Sequence, residues 1–197
     1  MSGFGRLVLG IVMVLVSGLA VGNAQAFSVS YDQKVTRKHE VFTGKVAMKD
    51  EMFRMEANVE GKVAITIRNS DGIYTYMPDE GMAMKLPSVD SSQQPVQHAE
   101  NYKQYLEKVH AEHIGNEIVN GHPCDVYRFN DPSVKGTTTA WVWTEKLFPI
   151  KMEIDAPDGK TVVELTNIQI GANIQDSMFR LPPGVQVMDM GSMMQMR

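Results

Sequence analysis

Beyond residue 26 the chain alternates apolar and polar side chains in short runs, and turn chemistry interrupts each run within about five to ten residues. A period of two is that of a strand with one buried face. The first train of strands is expected at 27–33, 41–49, 52–58, 62–69, 73–77 and 82–86, divided by Lys49-Asp50-Glu51, Glu60-Gly61, Asn69-Ser70-Asp71-Gly72 and Pro78-Asp79-Glu80-Gly81. A second is expected at 112–119, 124–130, 137–144, 148–155 and 161–170, with Asn120-Gly121, Asp131-Pro132 and a turn over 155–159 between its members. Short loops of this kind join consecutive antiparallel strands, so hairpin order is nearly forced.

The period changes between the two trains. Tyr102, Tyr105, Leu106 and Val109 fall at i, i+3, i+4 and i+7, which predicts a helix near 98–110 with one apolar stripe, reached through a polar, proline-punctuated linker. A solitary amphipathic helix inserted in a meander lays its stripe on the sheet and acts as a lid. About eleven twisted strands curl rather than stay flat, and one short helix does not cover a whole curled face. The expected fold is mainly β: a curled, unclosed antiparallel barrel of about eleven strands with a lid helix.

The side chains expected on the inner face are Val46 and Met48, Phe53 and Met55, Val63, Ile65 and Ile67, Tyr74 and Tyr76. Met82 and Met84, Trp141 and Trp143, Ile150 and Met152 complete the set. Each alone reads as core; together they suggest the wall of a hollow for a greasy ligand. Their parity within a strand stays open, because both faces of several strands carry apolar residues.

Composition first removes the N-terminus from this picture. Arg6 precedes LVLGIVMVLVSGLAVG, and the run closes on Ala24-Gln25-Ala26, the pattern of a cleaved secretory signal over 1–26. Gly10 and Gly18 break the apolar stretch, which argues against a permanent membrane span. With no cysteine near residue 26, lipid attachment is not expected. The domain is expected at 27–185, followed by a methionine-rich tail over 186–197. A net charge of −4 argues against nucleic acid and against charge-driven binding to anionic membranes.

Export bears on the single cysteine. Cys124, in NGHPCDVYRF, has no partner within the chain and reads as a small packed hydrophobe; a metal or intermolecular role is the alternative.

The 15 methionines raise a sharper alternative, since thioethers are soft ligands that select Cu(I). The tail VMDMGSMMQMR supplies Met188, Met190, Met193, Met194 and Met196, though a disordered, oxidation-prone end or a packed strand is its plainer reading, and Met82 and Met84 form a second M-x-M pair. His110 and His113 would stand at i, i+3 as a zinc pair if the helix ran that far; surface histidines are the plainer reading. His39, His98 and His122 have no partners at recognisable spacing. No nucleophile elbow, H-E-x-x-H or phosphate-binding glycine loop is present, and Glu40, Glu56 and Glu153 alternate as solvated strand faces do, so no enzyme is expected.

The succession GKVAMKDEMFRMEANVEGKVAITIRNSDGIYTYMP, the later WVWTEKLFPIKMEI and VVELTNIQI, and the closing Phe179-Arg180-Leu181-Pro182-Pro183-Gly184-Val185 resemble the LolA-like family of periplasmic outer-membrane lipoprotein carriers. NGHPCDVYRF is similar to a less characterised branch of that superfamily. The resemblance implies an unclosed β-barrel whose hydrophobic cavity, under helical lids, binds acyl chains in the periplasm. It implies a lipid or acylated lipoprotein as cargo, a membrane-anchored donor or acceptor, and no cofactor. In the carrier, a basic residue and a proline follow the lysine of the first hairpin turn and help latch the lid; here Asp50 and Glu51 follow Lys49, so that latch does not transfer. The carrier also begins with a helix, whereas Phe27 leads straight into the alternation FSVSYDQ. A Cu(I)-binding protein and a non-enzymatic envelope adaptor are the competing readings.

Overall fold

The computed structural model describes residues 27–59, 61–86, 102–132 and 134–191. Among the described residues twelve strands form one sheet in the order β12-β6-β5-β4-β3-β2-β1-β11-β10-β9-β8-β7, curled but not closed. The first meander comprises β1 (Ser28–Arg37), β2 (Glu40–Lys49), β3 (Met52–Val59), β4 (Lys62–Asn69), β5 (Gly72–Met77) and β6 (Met82–Leu86). The second comprises β7 (Glu112–Val119), β8 (His122–Phe129), β9 (Thr137–Trp143), β10 (Phe148–Ala156) and β11 (Gly159–Ile170). Antiparallel pairing of β1 with β11 welds the two. β12 (Gln186–Asp189) is a strand that the alternation did not predict, and it joins β6 in parallel.

Local chemistry sets these boundaries. Asn120 (φ 51°) and Gly121 (φ 80°) are both left-handed, as a two-residue turn matched to strand twist requires. Lys38 (φ 54°) does the same work without a glycine, so β1 runs on to Arg37 where the sequence signal stops at 33.

The helix is shorter than expected. α1 spans Tyr102–Lys108, and the stretch 98–101 lies outside the described residues. Tyr102 and Leu106 are buried against the sheet and Val109 packs there just past the helix end. The Tyr105 ring meets Phe129 edge-on at 5.7 Å. Two such burials contribute about 1.5–3 kcal/mol each, which is what holds so short a helix.

Register shows which side chains α1 covers. Tyr31 pairs with Val46, Val46 with Met55, Met55 with Thr66, Thr66 with Thr75, and Thr75 with Met84, so these six share one face. In the second meander Val163, Met152, Ala140 and Tyr127 continue it. The core under α1 is close-packed: Val29, Ile150 and Val163 are fully buried.

A strap covers the opposite face. After β11 the chain crosses the outside of the first meander through a 3-10 turn at Asp176–Phe179 and then hooks β12 onto the β6 edge. Phe179 is fully buried and clusters with Ala47 and Ile174, while Leu181 packs on Ile65, Ile67 and Tyr74. Polar bonds pin the strap at intervals: Ser28 Oγ to the Ala172 carbonyl (2.7 Å), Lys49 Nζ to Asp176 (2.6 Å) and Asn69 Nδ2 to the Phe179 carbonyl (2.8 Å). The boundary expected after residue 185 thus falls ahead of a strand that belongs to the sheet.

Candidate functional site

The side chains expected to share one wall divide between two faces. Val46, Met48, Phe53, Met55, Met82, Met84 and Met152 lie on the α1 side. Ile65, Ile67, Tyr74 and Tyr76 lie on the outer side, in register with Arg54, Lys85 and Ala83. Trp141 and Trp143 also point away from Met152, beside Val126 and Cys124. The correction has a plain cause. β4 and β5 carry apolar residues on both faces, and the strap, rather than α1, buries the bulkier set; Ile174, Phe179 and Leu181 were the missed signal.

On the α1 side the apolar surface divides in two. Beneath the helix it is filled by the protein's own side chains. Beyond it, across β3 to β6, Met55, Met77, Met82 and Met84 are only partly buried, and the last three stand apart from the buried clusters among the described residues.

Among the described residues two buried side-chain polar atoms lack partners: the Tyr102 hydroxyl and Trp143 Nε1. The Tyr102 side chain, from the first turn of α1, is buried against the sheet, and burial raises its phenol above its ordinary range. Its helix neighbour Tyr105 donates instead to Asp131. Across the sheet, Trp141 Nε1 donates to Glu117 and Lys151 lies 4.1 Å above its ring, so that indole serves structure.

A cavity of about 480 Å³ opens on the outer face, between the strap and the β4–β5 turn. Asn69, Asp71, Tyr74, Asp176, Phe179 and Arg180 are among its lining residues. Its charged rim suits a small polar molecule better than a hydrocarbon chain.

Metal and catalytic candidates fare as follows. α1 ends at Lys108, His110 adopts φ 52°, and His113 stands on β7 with Asp125 at 3.7 Å, so the helical zinc pair does not form. Among the described residues no group of three His, Cys, Asp or Glu side chains is placed to hold a metal. Cys124 is buried and free, and desolvation raises its thiol pKa. Glu153 is held below the usual carboxylate range by hydrogen bonds from Lys151 and Lys160, and Glu56 pairs with Arg54. Met188 lies on β12, Met190 just past it; Met193, Met194 and Met196 lie outside the described residues, as do 1–26.

Residues 26–147 match the model of a family described as a domain of unknown function, DUF4412. The chain belongs to the DUF4412 family. No curated protein matches it. Solved structures similar to this DUF4412 chain include an uncharacterized conserved protein from Thermus thermophilus, with a TM-score of 0.59 and 11% identity over 82% of this chain and 90% of that one. A chain of the Pseudomonas aeruginosa MucA/MucB complex is similar at TM-score 0.53 and 13% identity, covering 82% of this chain and 58% of that one. LolA superfamily protein NE2245 from Nitrosomonas europaea is also among the matches, at TM-score 0.36 and 13% identity, over 82% of this chain and 92% of that one. The first two carry the comparison, and what they share with the DUF4412 chain is its fold. Among the described residues no helix is long and apolar enough to cross a membrane.

Proposed function

We propose that this chain is a non-enzymatic periplasmic binding protein that holds the acyl chains of a lipid or lipoprotein on the α1 side of its sheet, exported by the leader at 1–26. The supporting observation is the methionine-bearing stretch of that face, where Met55 and Met84 keep access to solvent on either side of Thr66 and Thr75. Each methylene withdrawn from water contributes ~0.8 kcal/mol before immobilisation costs are deducted. Methionine repacks around chains of different length more readily than branched residues do. In this reading α1 is the cover, and a membrane-anchored donor or acceptor exchanges the cargo.

Mass spectrometry of organic extracts from gently purified protein, with uptake of an acyl-chain fluorophore, tests the proposal. Met55→Glu and Met84→Glu are expected to lower uptake. Val41→Glu, at a position 56% exposed on the opposite face, is expected to leave it unchanged. Folded wild-type protein that yields no lipid and takes up no probe overturns the reading.

A further inference from the structure

We propose that Met77, Met82, Met84 and Met188 form a soft-metal site that takes Cu(I) through thioether sulfur alone. The inference does not rest on the acyl-chain reading. It begins with a juxtaposition that the sequence hides: Met188 is more than a hundred residues from Met84 in the chain, yet the strap returns β12 to the β6 edge with these two residues side by side. Met77 and Met82 are partners across the adjoining antiparallel pair. Because Met82 and Met84 are two residues apart on one strand, all four side chains leave the sheet on the same face.

Spacing suits shared coordination. Side-by-side strand residues hold their Cβ atoms roughly 4.5–5.5 Å apart, and next-but-one residues on a strand are separated by roughly 6.5 Å. A thioether on a side chain with three rotatable bonds spans such gaps, so four sulfurs can close on one ion without moving the backbone. None of the four is committed elsewhere: Met188 is 40% exposed, the others are partly buried, and none belongs to a buried cluster among the described residues. In the turn that joins Met77 to Met82, Glu80 is paired with Lys62 at 3.3 Å, and the exposed Asp79 adds negative charge beside a site for a cation.

The chemistry selects the ion. Thioether ligands are soft and neutral, which favours Cu(I) over zinc or the hard divalent cations. They carry no proton to displace, so binding is expected to be equal at pH 5 and pH 7, whereas sites built on His, Cys or carboxylate weaken on acidification. Cys124 stands on β8, near the other end of the sheet order, and does not contribute.

The test is an anaerobic titration of the full mature chain with Cu(I), kept reduced by ascorbate, against a competing chelator. One equivalent is expected to bind, with X-ray absorption showing sulfur neighbours only. Met84→Leu combined with Met188→Leu, near-isosteric changes at partly open positions, is expected to weaken binding by more than the roughly tenfold that an outer-shell change costs. The triple variant Met193→Leu, Met194→Leu, Met196→Leu is expected to bind as wild type does. Absence of binding, nitrogen or oxygen scatterers in the wild-type spectrum, or loss in the triple variant with retention in the double variant each overturns the proposal. The absorption measurement needs no variant, so a misfolded variant leaves the proposal decidable.

Discussion

Lys49 Nζ stands 2.6 Å from Asp176 Oδ1 and 3.3 Å from the Ile174 carbonyl oxygen, so one side chain at the end of β2 grips the strap at two points. The basic residue and proline of the carrier-type latch are missing at this turn, and its lysine holds the outer strap instead.

The pH response of that grip follows from its sign. The Lys49 hydrogen bond holds the Asp176 carboxyl below its ordinary 3.8, so the bridge is complete at neutral pH and is lost as pH falls through the lower folded value. Asp176→Asn is expected to speed amide exchange over 172–181 at pH 7 while leaving β8 and β9 protected. Wild type is expected to acquire the same pattern only below pH 3.8. Because the pair is exposed, global stability should hardly move. Hydrogen exchange across a pH series measures both.

Phe179 is the apolar counterpart of that polar grip. It is fully buried between strap and sheet. Phe179→Ala is expected to cost about 3–5 kcal/mol by the loss of buried ring area and the cavity left behind. Ile118→Ser, at a position 75% exposed on the β7 edge, is expected to stay within about 0.5 kcal/mol of wild type. Urea denaturation followed by tryptophan fluorescence compares them.

These two residues also mark where the sequence stops being legible. Alternation and turn chemistry placed eleven strands and the helix because both are local: the Asn120-Gly121 turn and the Tyr102–Leu106 stripe announce themselves. Strand parity is not local. Ile65 and Met55 both read as inward, and only the return of Phe179 and Leu181 across the outer face decides that they point apart. A packed strand is one reading of the tail, but the bounds and pairing of β12 are not legible for the same reason, since a four-residue strand of exposed side chains is defined by its partner β6 rather than by its own pattern. Met82 and Met84 were visible as a pair, but their juxtaposition with Met77 and Met188 was not.

Cys124 is expected to be chemically silent in the native protein. It is 1% exposed, its Sγ lies 3.4 Å from the His122 carbonyl oxygen, and burial raises its pKa, all of which disfavour thiolate at neutral pH. A thiol reagent should label it only in denaturant, and no disulfide-linked dimer should form on oxidation. Labelling of folded protein at the rate of a free thiol would show that β8 opens locally.

Tyr102 and Tyr105 are neighbours on one helix and are expected to respond to the same substitution with opposite signs. Removing the Tyr105 hydroxyl breaks its hydrogen bond to Asp131 and should cost about 1 kcal/mol or more. Removing the Tyr102 hydroxyl deletes a buried donor with no partner among the described residues, so Tyr102→Phe should raise stability by about 1–3 kcal/mol. If α1 is the cover of an acyl site, lifting the helix gives the Tyr102 hydroxyl water to bond with, and its presence favours the open arrangement. Tyr102→Phe then stabilises the closed one, and a shift in that population slows uptake of the acyl probe as it raises the unfolding free energy. Urea melts of both variants beside stopped-flow uptake separate the two effects: a Tyr102→Phe protein that gains stability and loads at the wild-type rate would leave α1 as a fixed part of the core.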